Sequence, residues 1–321
     1  MTNPMNILVT MPAAVEHRRM LLEAAPEARI VYAKATELAP DEITSADIIV
    51  GNILGNQLPL LGSPRLIQLN TAGVAKEYLG LRQQLPAAVL CCASGSYGPA
   101  ISEHMLATLL GLLKRLHEYR DDQREALWID RGEVRSLKGA RVLVVGLGDI
   151  GGCFARLCAA MGAQVSGIRR RPGPAPSGVE AVFAAASLEA LLPEADVVAL
   201  CLPETGDTIH IMDKKRLMLM KQGSYLLNVG RGTALDQDAL LQALREGRVA
   251  GAGLDVTDPE PLTKGHPLWD EKNIVITPHV SGWYHLRETH DRIIAMACRN
   301  IRALPDGPFE GLVDFDSGYR A

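Results

Sequence analysis

Short apolar segments alternate along the chain with longer segments in which apolar residues recur at helical spacing. Residues 6–9 predict a first β-strand, and residues 14–24 predict the helix that follows it. Strands that alternate with helices form parallel sheets covered by helices, so we predict an α/β fold for the N-terminal part. The further strands predicted there are residues 30–32, 48–50 and 66–69.

A second alternating series follows. Its first strand, residues 141–145, precedes a helix at residues 153–161, and a last helix is predicted at residues 286–302. Between the two series, residues 101–119 form one long amphipathic segment with leucines at helical spacing, and the charged residues 120–131 are predicted to be exposed. The further strands of the second series are residues 164–168, 197–202, 224–228, 251–254 and 274–276.

Composition narrows the class of protein. A chain of 321 residues with 47% hydrophobic and 22% charged residues suits about two globular domains. The net charge of -4 argues against electrostatic binding to nucleic acid or to an anionic membrane. The first residues show no signal-peptide pattern, residues 105–113 are too few to cross a bilayer, and the six cysteines form no metal-binding cluster. We therefore expect a cytoplasmic protein with reduced thiols and no metal.

A glycine motif joins the first strand and helix of the second series. Residues 146–151 read Gly-Leu-Gly-Asp-Ile-Gly and match the GxGxxG pattern. Gly146 permits a tight turn, Gly148 lets a pyrophosphate approach the backbone, and Gly151 permits close contact between helix and strand. The helix start offers free N–H groups to phosphates. A glycine-rich turn alone is weak evidence, but the strand, helix and next strand around it indicate a dinucleotide site.

The next strand ends in arginines, where NAD-binding domains place a carboxylate for the ribose hydroxyls. Ile168 is followed by Arg169, Arg170 and Arg171. Guanidinium groups suit the 2′-phosphate of NADP. We therefore predict NADP as the preferred cofactor, contacted by Arg169 and Arg170, with Arg171 turned to solvent. NAD is the alternative.

Three polar residues follow later strands of this series. Arg231 lies in the run NVGRG, Glu260 in the run LDVTDPEP and His279 in the run TPHVSG. Ligands of doubly wound sheets bind at the carboxyl ends of strands, so we predict that these side chains converge on one crevice. The set suits a 2-oxo acid. Arg231 would bind its carboxylate and polarise the ketone, His279 would transfer the proton, and Glu260 would orient His279.

These runs resemble the D-isomer specific 2-hydroxyacid dehydrogenase family, in its glyoxylate and hydroxypyruvate reductase branch. Leu202-Pro203 with Thr208 adds to the likeness, and residues 70–74 and 102–104 match more loosely. The resemblance implies two Rossmann-like doubly wound domains, with a cofactor domain inserted in a flavodoxin-like substrate domain. The implied boundaries are residues 1–103 and 286–321 for the substrate domain and residues 104–285 for the dinucleotide-binding domain.

The resemblance also implies further site residues. Backbone N–H groups of Ala72 and Gly73 would bind the substrate carboxylate, and Asp255 would hold the nicotinamide amide. Asp149 and Ile150 would line the pyrophosphate. The implied cofactor contacts are completed by residues that follow strands: Cys201, Leu202, Pro203, Thr208, Val229, Gly230, Arg231, His279, Ser281 and Gly282.

Several residues near these runs have two interpretations. Glu103 and His104, at a helix start, are interpreted as structural or inter-domain residues rather than site contacts. Tyr97, Trp283 and Tyr284 either line the substrate pocket or pack structurally.

The expected activity is reduction of a small 2-oxo acid by NADP(H), and the resemblance implies glyoxylate or hydroxypyruvate as first substrates. A phosphite dehydrogenase shares the fold and is one alternative. A dinucleotide-sensing binding protein of the corepressor type is another, although the sequence carries no appended partner motif for it. The resemblance further implies a two-fold homodimer formed through the cofactor domain.

Overall fold

The computed structural model of the protein describes residues 4–170, 173–283 and 285–315, together with the backbone of 319–320. The chain divides into two compact units. Unit 1 comprises Met1–Tyr97 and Tyr284–Ala321, and unit 2 comprises Gly98–Trp283. Within the described ranges, no helix combines the length and the apolar character that crossing a bilayer would need.

Most strands, and the helices α1, α7 and α11, lie close to where the pattern of apolar residues predicts them. The strands are β1 Asn6–Val9, β2 Arg29–Tyr32, β3 Ile48–Val50, β4 Leu66–Gln68, β5 Val89–Cys91, β6 Arg141–Val145, β7 Gln164–Ile168, β8 Ala181–Phe183, β9 Val197–Leu200, β10 Ser224–Asn228, β11 Val249–Leu254, β12 Ile274–Ile276, β13 Val313–Asp314 and β14 Tyr319–Arg320. The helices are α1 Val15–Ala24, α2 Pro40–Thr44, α3 Lys76–Leu79, α4 Leu81–Gln84, α5 Gly98–Leu113, α6 Leu116–Arg124, α7 Asp149–Ala160, α8 Leu188–Leu191, α9 Lys214–Leu219, α10 Gln237–Arg245 and α11 Arg287–Arg302.

Unit 1 is built on a five-stranded parallel sheet in the order β2-β1-β3-β4-β5. This is the flavodoxin-like order, in which the chain reverses its direction of growth beside β1. The strands β3 and β4 are buried at every position. Near-continuous apolar runs of this kind are typical of parallel strands covered on both faces.

Unit 2 is built on a seven-stranded parallel sheet in the order β12-β11-β10-β9-β6-β7-β8. The chain starts in the middle at β6, grows outward through β7 and β8, and then returns to β9 on the other side of β6. The carboxyl ends of β6 and β9 therefore flank a topological switch point, the place where doubly wound sheets bind ligands. The predicted α/β class with two doubly wound parallel sheets is confirmed.

The segment between the two series differs from its prediction. The prediction of a single helical segment over residues 101–119 was wrong, because α5 ends at Leu113 and α6 begins after Arg115, whose φ of 56° is left-handed. A helix cannot continue through such a residue. The charged stretch that follows is largely exposed, as predicted, but the Asp122 carboxylate is buried and forms a bidentate ion pair with Arg131.

Candidate active site

The predicted cofactor and catalytic residues of unit 2 lie in loops that leave the carboxyl ends of its strands. Parallel strands end at the same edge of a sheet, so loops from distant parts of the sequence meet there. The loops after β6, β7, β9, β10, β11 and β12 all start from this edge.

The glycine turn after β6 is shaped for a close backbone approach. Gly146 has a φ of +103°, and a Cβ there would lie 2.6 Å from the carbonyl oxygen of Cys201. A Cβ on Gly151 would lie 2.0 Å from the carbonyl oxygen of Gly146. Any side chain would therefore force the start of α7 away from β6. The turn and the free N–H groups of the helix start form a cradle that fits a pyrophosphate.

Asp149 opens α7, but its side chain turns to a neighbouring helix. The Asp149 Oδ2 atom accepts a hydrogen bond of 2.7 Å from the Gly98 N–H at the start of α5. A Cβ on Gly98 would lie 2.6 Å from Asp149 Oδ1, so the two helix starts are in close contact. Ile150 is half-buried in the first turn of α7. That these two residues line the pyrophosphate remains a prediction.

Arg169 follows β7 directly, and its side chain is partly buried. Its backbone N–H donates to the Phe183 carbonyl at 3.2 Å, which fixes the residue beside β8. Its Nε atom is buried and has no acceptor within the described residues. A buried N–H without a partner is costly, so this geometry fits an anionic group supplied by a ligand. Arg170 is exposed, and Arg171 lies outside the described residues.

The loop after β9 forms the other side of the glycine turn. The Cys201 N–H donates to the Val145 carbonyl at 2.9 Å, which prolongs the sheet beside the motif. The Thr208 hydroxyl donates to the Pro203 carbonyl at 2.7 Å and closes the loop on itself. Burial raises the pKa of the Cys201 thiol to about 12, so this thiol stays neutral at physiological pH. Leu202 approaches Gly230, where a Cβ would lie 2.5 Å from the Leu202 carbonyl oxygen.

Arg231 sits in a turn that the fully buried Asn228 side chain holds. Asn228 Oδ1 accepts from the Gly230 N–H at 3.1 Å, and Asn228 Nδ2 donates to the Arg231 carbonyl at 2.9 Å. The Arg231 guanidinium donates from Nη1 to the Gly230 carbonyl at 2.7 Å. Val229, one residue after the strand, is buried. The turn thus fixes the backbone at the end of β10 and leaves Arg231 half-buried.

His279 and Glu260 are brought together across 19 positions of sequence. The His279 Nδ1 and Glu260 Oε1 atoms lie 2.5 Å apart. Both side chains are about half exposed, at 46% and 43%. His279 has a φ of 52°, a left-handed conformation that few residues other than glycine adopt. A strained backbone conformation of this kind persists only where the surrounding structure fixes it, and such residues are enriched at active sites.

The carboxylate of Asp255 holds the loop that carries His279. Its Oδ1 atom accepts from the Thr277 hydroxyl at 2.6 Å and from the Val280 N–H at 3.0 Å. Its Oδ2 atom accepts from the Ser281 N–H at 3.2 Å and from the Ser281 hydroxyl. These four bonds use the acceptor capacity of a carboxylate that is only 3% exposed. The contact with a nicotinamide amide remains a prediction and would replace one of these bonds; Gly282 follows at the end of the loop.

Ala72 and Gly73 belong to unit 1, in the loop after β4. The Thr71 hydroxyl donates to the Gly73 carbonyl at 2.7 Å and stabilises this loop. Binding of a substrate carboxylate there remains a prediction. The Tyr97 hydroxyl donates to the Asn70 carbonyl, which gives Tyr97 a structural role in unit 1. Trp283 is 58% exposed, and Tyr284 lies outside the described residues.

Two residues that shape this edge were not among the site residues predicted from the sequence. Asn228 organises the Arg231 turn, and its position at the end of a buried strand was the available signal. Thr277 binds both Asp255 and the His104 ring, whose Nε2 atom lies 3.1 Å from the Thr277 hydroxyl. No local pattern links His104 to Thr277, since 173 positions of sequence separate them.

Known proteins are similar to this chain in sequence and in fold. The family model for the NAD binding domain of D-isomer specific 2-hydroxyacid dehydrogenases matches residues 106–281, more than half of the chain. The chain is 39% identical over 174 residues to the glyoxylate reductase of Aeropyrum pernix, an alignment that covers 53% of this chain and 50% of that protein. About half of that relative's length is therefore matched.

Two solved structures match over nearly the whole chain. A D-isomer specific 2-hydroxyacid dehydrogenase family protein from Aeromonas salmonicida is 32% identical, with a TM-score of 0.82, and the match covers 98% of this chain and 100% of that one. A D-isomer specific 2-hydroxyacid dehydrogenase from Xanthobacter autotrophicus, solved with NADPH and MES, is 26% identical, with a TM-score of 0.81 and the same coverage.

Proposed function

Because the chain belongs to the D-isomer specific 2-hydroxyacid dehydrogenase family, whose members are NAD(P)-dependent oxidoreductases, we propose that it interconverts a small 2-oxo acid and its D-2-hydroxy acid with NADP(H). The observation that carries the proposal is the pairing of His279 with Glu260 at 2.5 Å, on the sheet edge that bears the glycine turn. Glyoxylate and hydroxypyruvate are the proposed first substrates.

Each residue of the set then has a chemical role. A nicotinamide cofactor held by the glycine turn would supply the hydride for the carbonyl carbon. His279, with Nδ1 held by Glu260, has Nε2 left to donate a proton to the carbonyl oxygen. Glu260 stabilises the charged imidazolium before that transfer. Arg231 binds the carboxylate and polarises the ketone, for which a planar guanidinium is suited.

Residues of unit 2 would also bind the cofactor. The cradle between Gly146 and Gly151 would hold the pyrophosphate through backbone N–H groups. The buried Nε of Arg169, which has no acceptor among the residues that the structure describes, would donate to the 2′-phosphate of NADP, and this supports NADP over NAD. A carboxylate at this position would instead repel that phosphate.

The test of cofactor choice is the ratio of kcat/KM with NADPH and NADH at fixed ionic strength. A charge-assisted hydrogen bond contributes ~1.5–3 kcal/mol, and ~1.4 kcal/mol is a factor of ten, so the wild type should favour NADPH by roughly 10- to 150-fold. A higher salt concentration should lower this preference, because it screens the charges. Arg169→Asp should shift the ratio toward NADH. Arg120→Asp, the same charge change on exposed α6, is the control and should leave the ratio unchanged. A wild type that prefers NADH refutes the assignment.

The substrate class is tested by following absorbance at 340 nm with NADPH and a panel of 2-oxo acids. Turnover of glyoxylate or hydroxypyruvate supports the proposal. Tight cofactor binding without turnover would instead favour a dinucleotide-sensing protein. Reduction of NADP⁺ by phosphite, seen in a separate assay as a rise in absorbance at 340 nm, would favour the phosphite dehydrogenase alternative.

We also propose that a second copy of the chain covers part of unit 2. Four apolar side chains in the segment after α6 are exposed: Leu127 at 51%, Trp128 at 102%, Ile129 at 47% and Val134 at 49%. Exposed apolar runs of this kind mark interaction surfaces. A two-fold symmetric dimer, the commonest assembly of identical chains, would bury them.

A further inference from the structure

We propose that His104 is a positioning residue for the proton-transferring His279, and that it acts through Thr277 and Asp255. This inference rests on the proposed function. His104 lies on α5, and its ring contacts the loop after β12 rather than the cofactor turn. The His104 Nε2 atom lies 3.1 Å from the Thr277 hydroxyl, which in turn lies 2.6 Å from Asp255 Oδ1.

The side chains of His104, Thr277 and Asp255 form a relay of two hydrogen bonds. The protons that these groups carry fix the direction of each bond. The Asp255 carboxylate can only accept, so the single proton of the Thr277 hydroxyl is donated to it. The Thr277 oxygen can then only accept from His104, whose Nε2 must carry a proton. Hydrogen bonds in such a chain polarise one another, and the charged end at Asp255 strengthens the bond that His104 donates.

Asp255 transmits this arrangement to His279 on both sides of that residue. Its Oδ1 atom accepts from Thr277, two positions before His279, and from the Val280 N–H, one position after it. Its backbone carbonyl accepts from the His279 N–H at 2.8 Å. Together these hydrogen bonds hold the loop in place around His279, whose backbone is left-handed. A left-handed residue needs such support, because its conformation is higher in energy than the right-handed one. Rotation of the Thr277 hydroxyl away from Asp255 removes one of these hydrogen bonds.

Close contact between α5 and β11 holds His104 in reach of Thr277. A Cβ on Gly253 would lie 2.5 Å from the Thr108 methyl group, one helical turn after His104, so the helix rests directly on the strand that ends before Asp255. The cavity lined by His104, Asp255 and Thr277, among others, measures only about 10 Å³. That is at most the space of one water molecule, so this cavity has no room for a substrate. The effect of His104 on the reaction is therefore indirect.

The expected effect is on kcat. A misplacement of about 1 Å far from the chemistry can cost roughly 100-fold in rate. We expect His104→Leu, which removes the donor, to lower kcat by roughly 10- to 100-fold. The KM for the oxo acid should change less than kcat, because the Arg231 guanidinium donates to the Gly230 carbonyl and forms no hydrogen bond with the three relay residues in the part of the chain that the structure describes. The Kd for NADPH is measured separately, because Asp255 is also the proposed contact of the nicotinamide amide.

The variants form two matched pairs. His104→Gln places an amide N–H near the position of Nε2 and should restore most of kcat, whereas His104→Leu should not. Thr277→Ser keeps the hydroxyl and should be active, whereas Thr277→Val keeps the shape and should match His104→Leu. The double variant that combines both losses, His104→Leu with Thr277→Val, should be no slower than either single variant, since both break one relay.

A control separates this role from the general loss of a histidine. Both ring nitrogens of His117, on α6, are buried and have no hydrogen-bond partner in the described part of the chain. His117→Leu should therefore leave kcat unchanged. Thermal unfolding of every variant shows whether a loss of rate reflects a loss of folded protein.

A second readout does not depend on turnover. The ¹⁵N resonances of the His279 ring, identified by their loss in His279→Asn, should shift in His104→Leu and stay in place in His104→Gln and His117→Leu. If the wild type reduces no 2-oxo acid, the proposed function fails and these resonances alone decide the role of His104. The inference is overturned if His104→Gln is as slow as His104→Leu, if the two single losses multiply in the double variant, or if the His279 resonances do not move.

Discussion

Substitution by alanine at two adjacent glycines of α7, Gly151 and Gly152, is expected to have opposite effects on stability. Gly151 is the last glycine of the motif, and an added Cβ would lie 2.0 Å from the Gly146 carbonyl oxygen and 2.9 Å from a Val144 methyl group. The first distance is about 1.4 Å short of the ~3.4 Å at which ordinary contact begins. The obstacle is backbone, so it cannot rotate away. Gly151→Ala must therefore push α7 off β6.

The expected loss of stability follows from the usual cost of overpacking a protein interior. Forcing extra atoms into a filled interior costs ~1–3 kcal/mol and occasionally more. For a unit of this size, ~1 kcal/mol corresponds to about 2–4 °C in Tm, so Gly151→Ala should lower the Tm of unit 2 by about 2–12 °C. The helix start would also leave the pyrophosphate cradle. Loss of one charge-assisted bond, ~1.5–3 kcal/mol, should weaken NADPH binding by at least about tenfold.

Gly152→Ala is the matched control. The nearest atom to its added Cβ is Arg156 Nη1 at 4.0 Å, so the methyl group fits. Alanine in a helix interior is favoured over glycine by ~0.5–1 kcal/mol, and Tm should rise by about 1–4 °C. Circular dichroism gives Tm, and NADPH fluorescence gives Kd. The reasoning is refuted if Gly151→Ala melts at the same temperature as the wild type, or if both alanine variants lose stability alike.

The remaining predictions concern the catalytic set and assembly. His279→Asn should lower kcat by ~10²–10⁴-fold, the usual value of general acid-base catalysis, while the NADPH Kd measured by fluorescence stays unchanged; near wild-type turnover would remove His279 from the mechanism. Glu260→Gln should shift the pH–rate profile, because the imidazolium loses its anionic partner, and an unshifted profile would argue against the pair. Arg231→Lys should raise the KM for the oxo acid and lower kcat, since a point charge cannot copy a bidentate contact; a change in cofactor affinity alone would contradict the placement of Arg231 at the substrate. Light scattering at micromolar concentration should give twice the 34.6 kDa chain mass, and a monomer mass would refute the dimer.

Local patterns were enough to locate most strands and the glycine turn. Strands β6, β7 and β10 begin and end where the apolar runs predict, because each is a buried segment bounded by turn residues. The short strands β5 and β8 were not predicted. Both lie at edges of their sheets and have only three residues, so their apolar pattern is weak. The left-handed Arg115 gave no sequence signal and divides the segment that the pattern predicts as one helix.

The sequence by itself determined which residue types follow which strands, and this was sufficient to select Arg231, Glu260 and His279 as candidates. The tertiary structure decided their partners. It brings the ring of His279 to Glu260 and directs the Asp255 carboxylate to the loop around His279. It also places His104 beside Thr277. Such contacts join positions far apart in the chain, and only the order of strands in the sheet and the close approach of α5 to β11 set them. Local propensity acts over a few residues, so it carries no information about them.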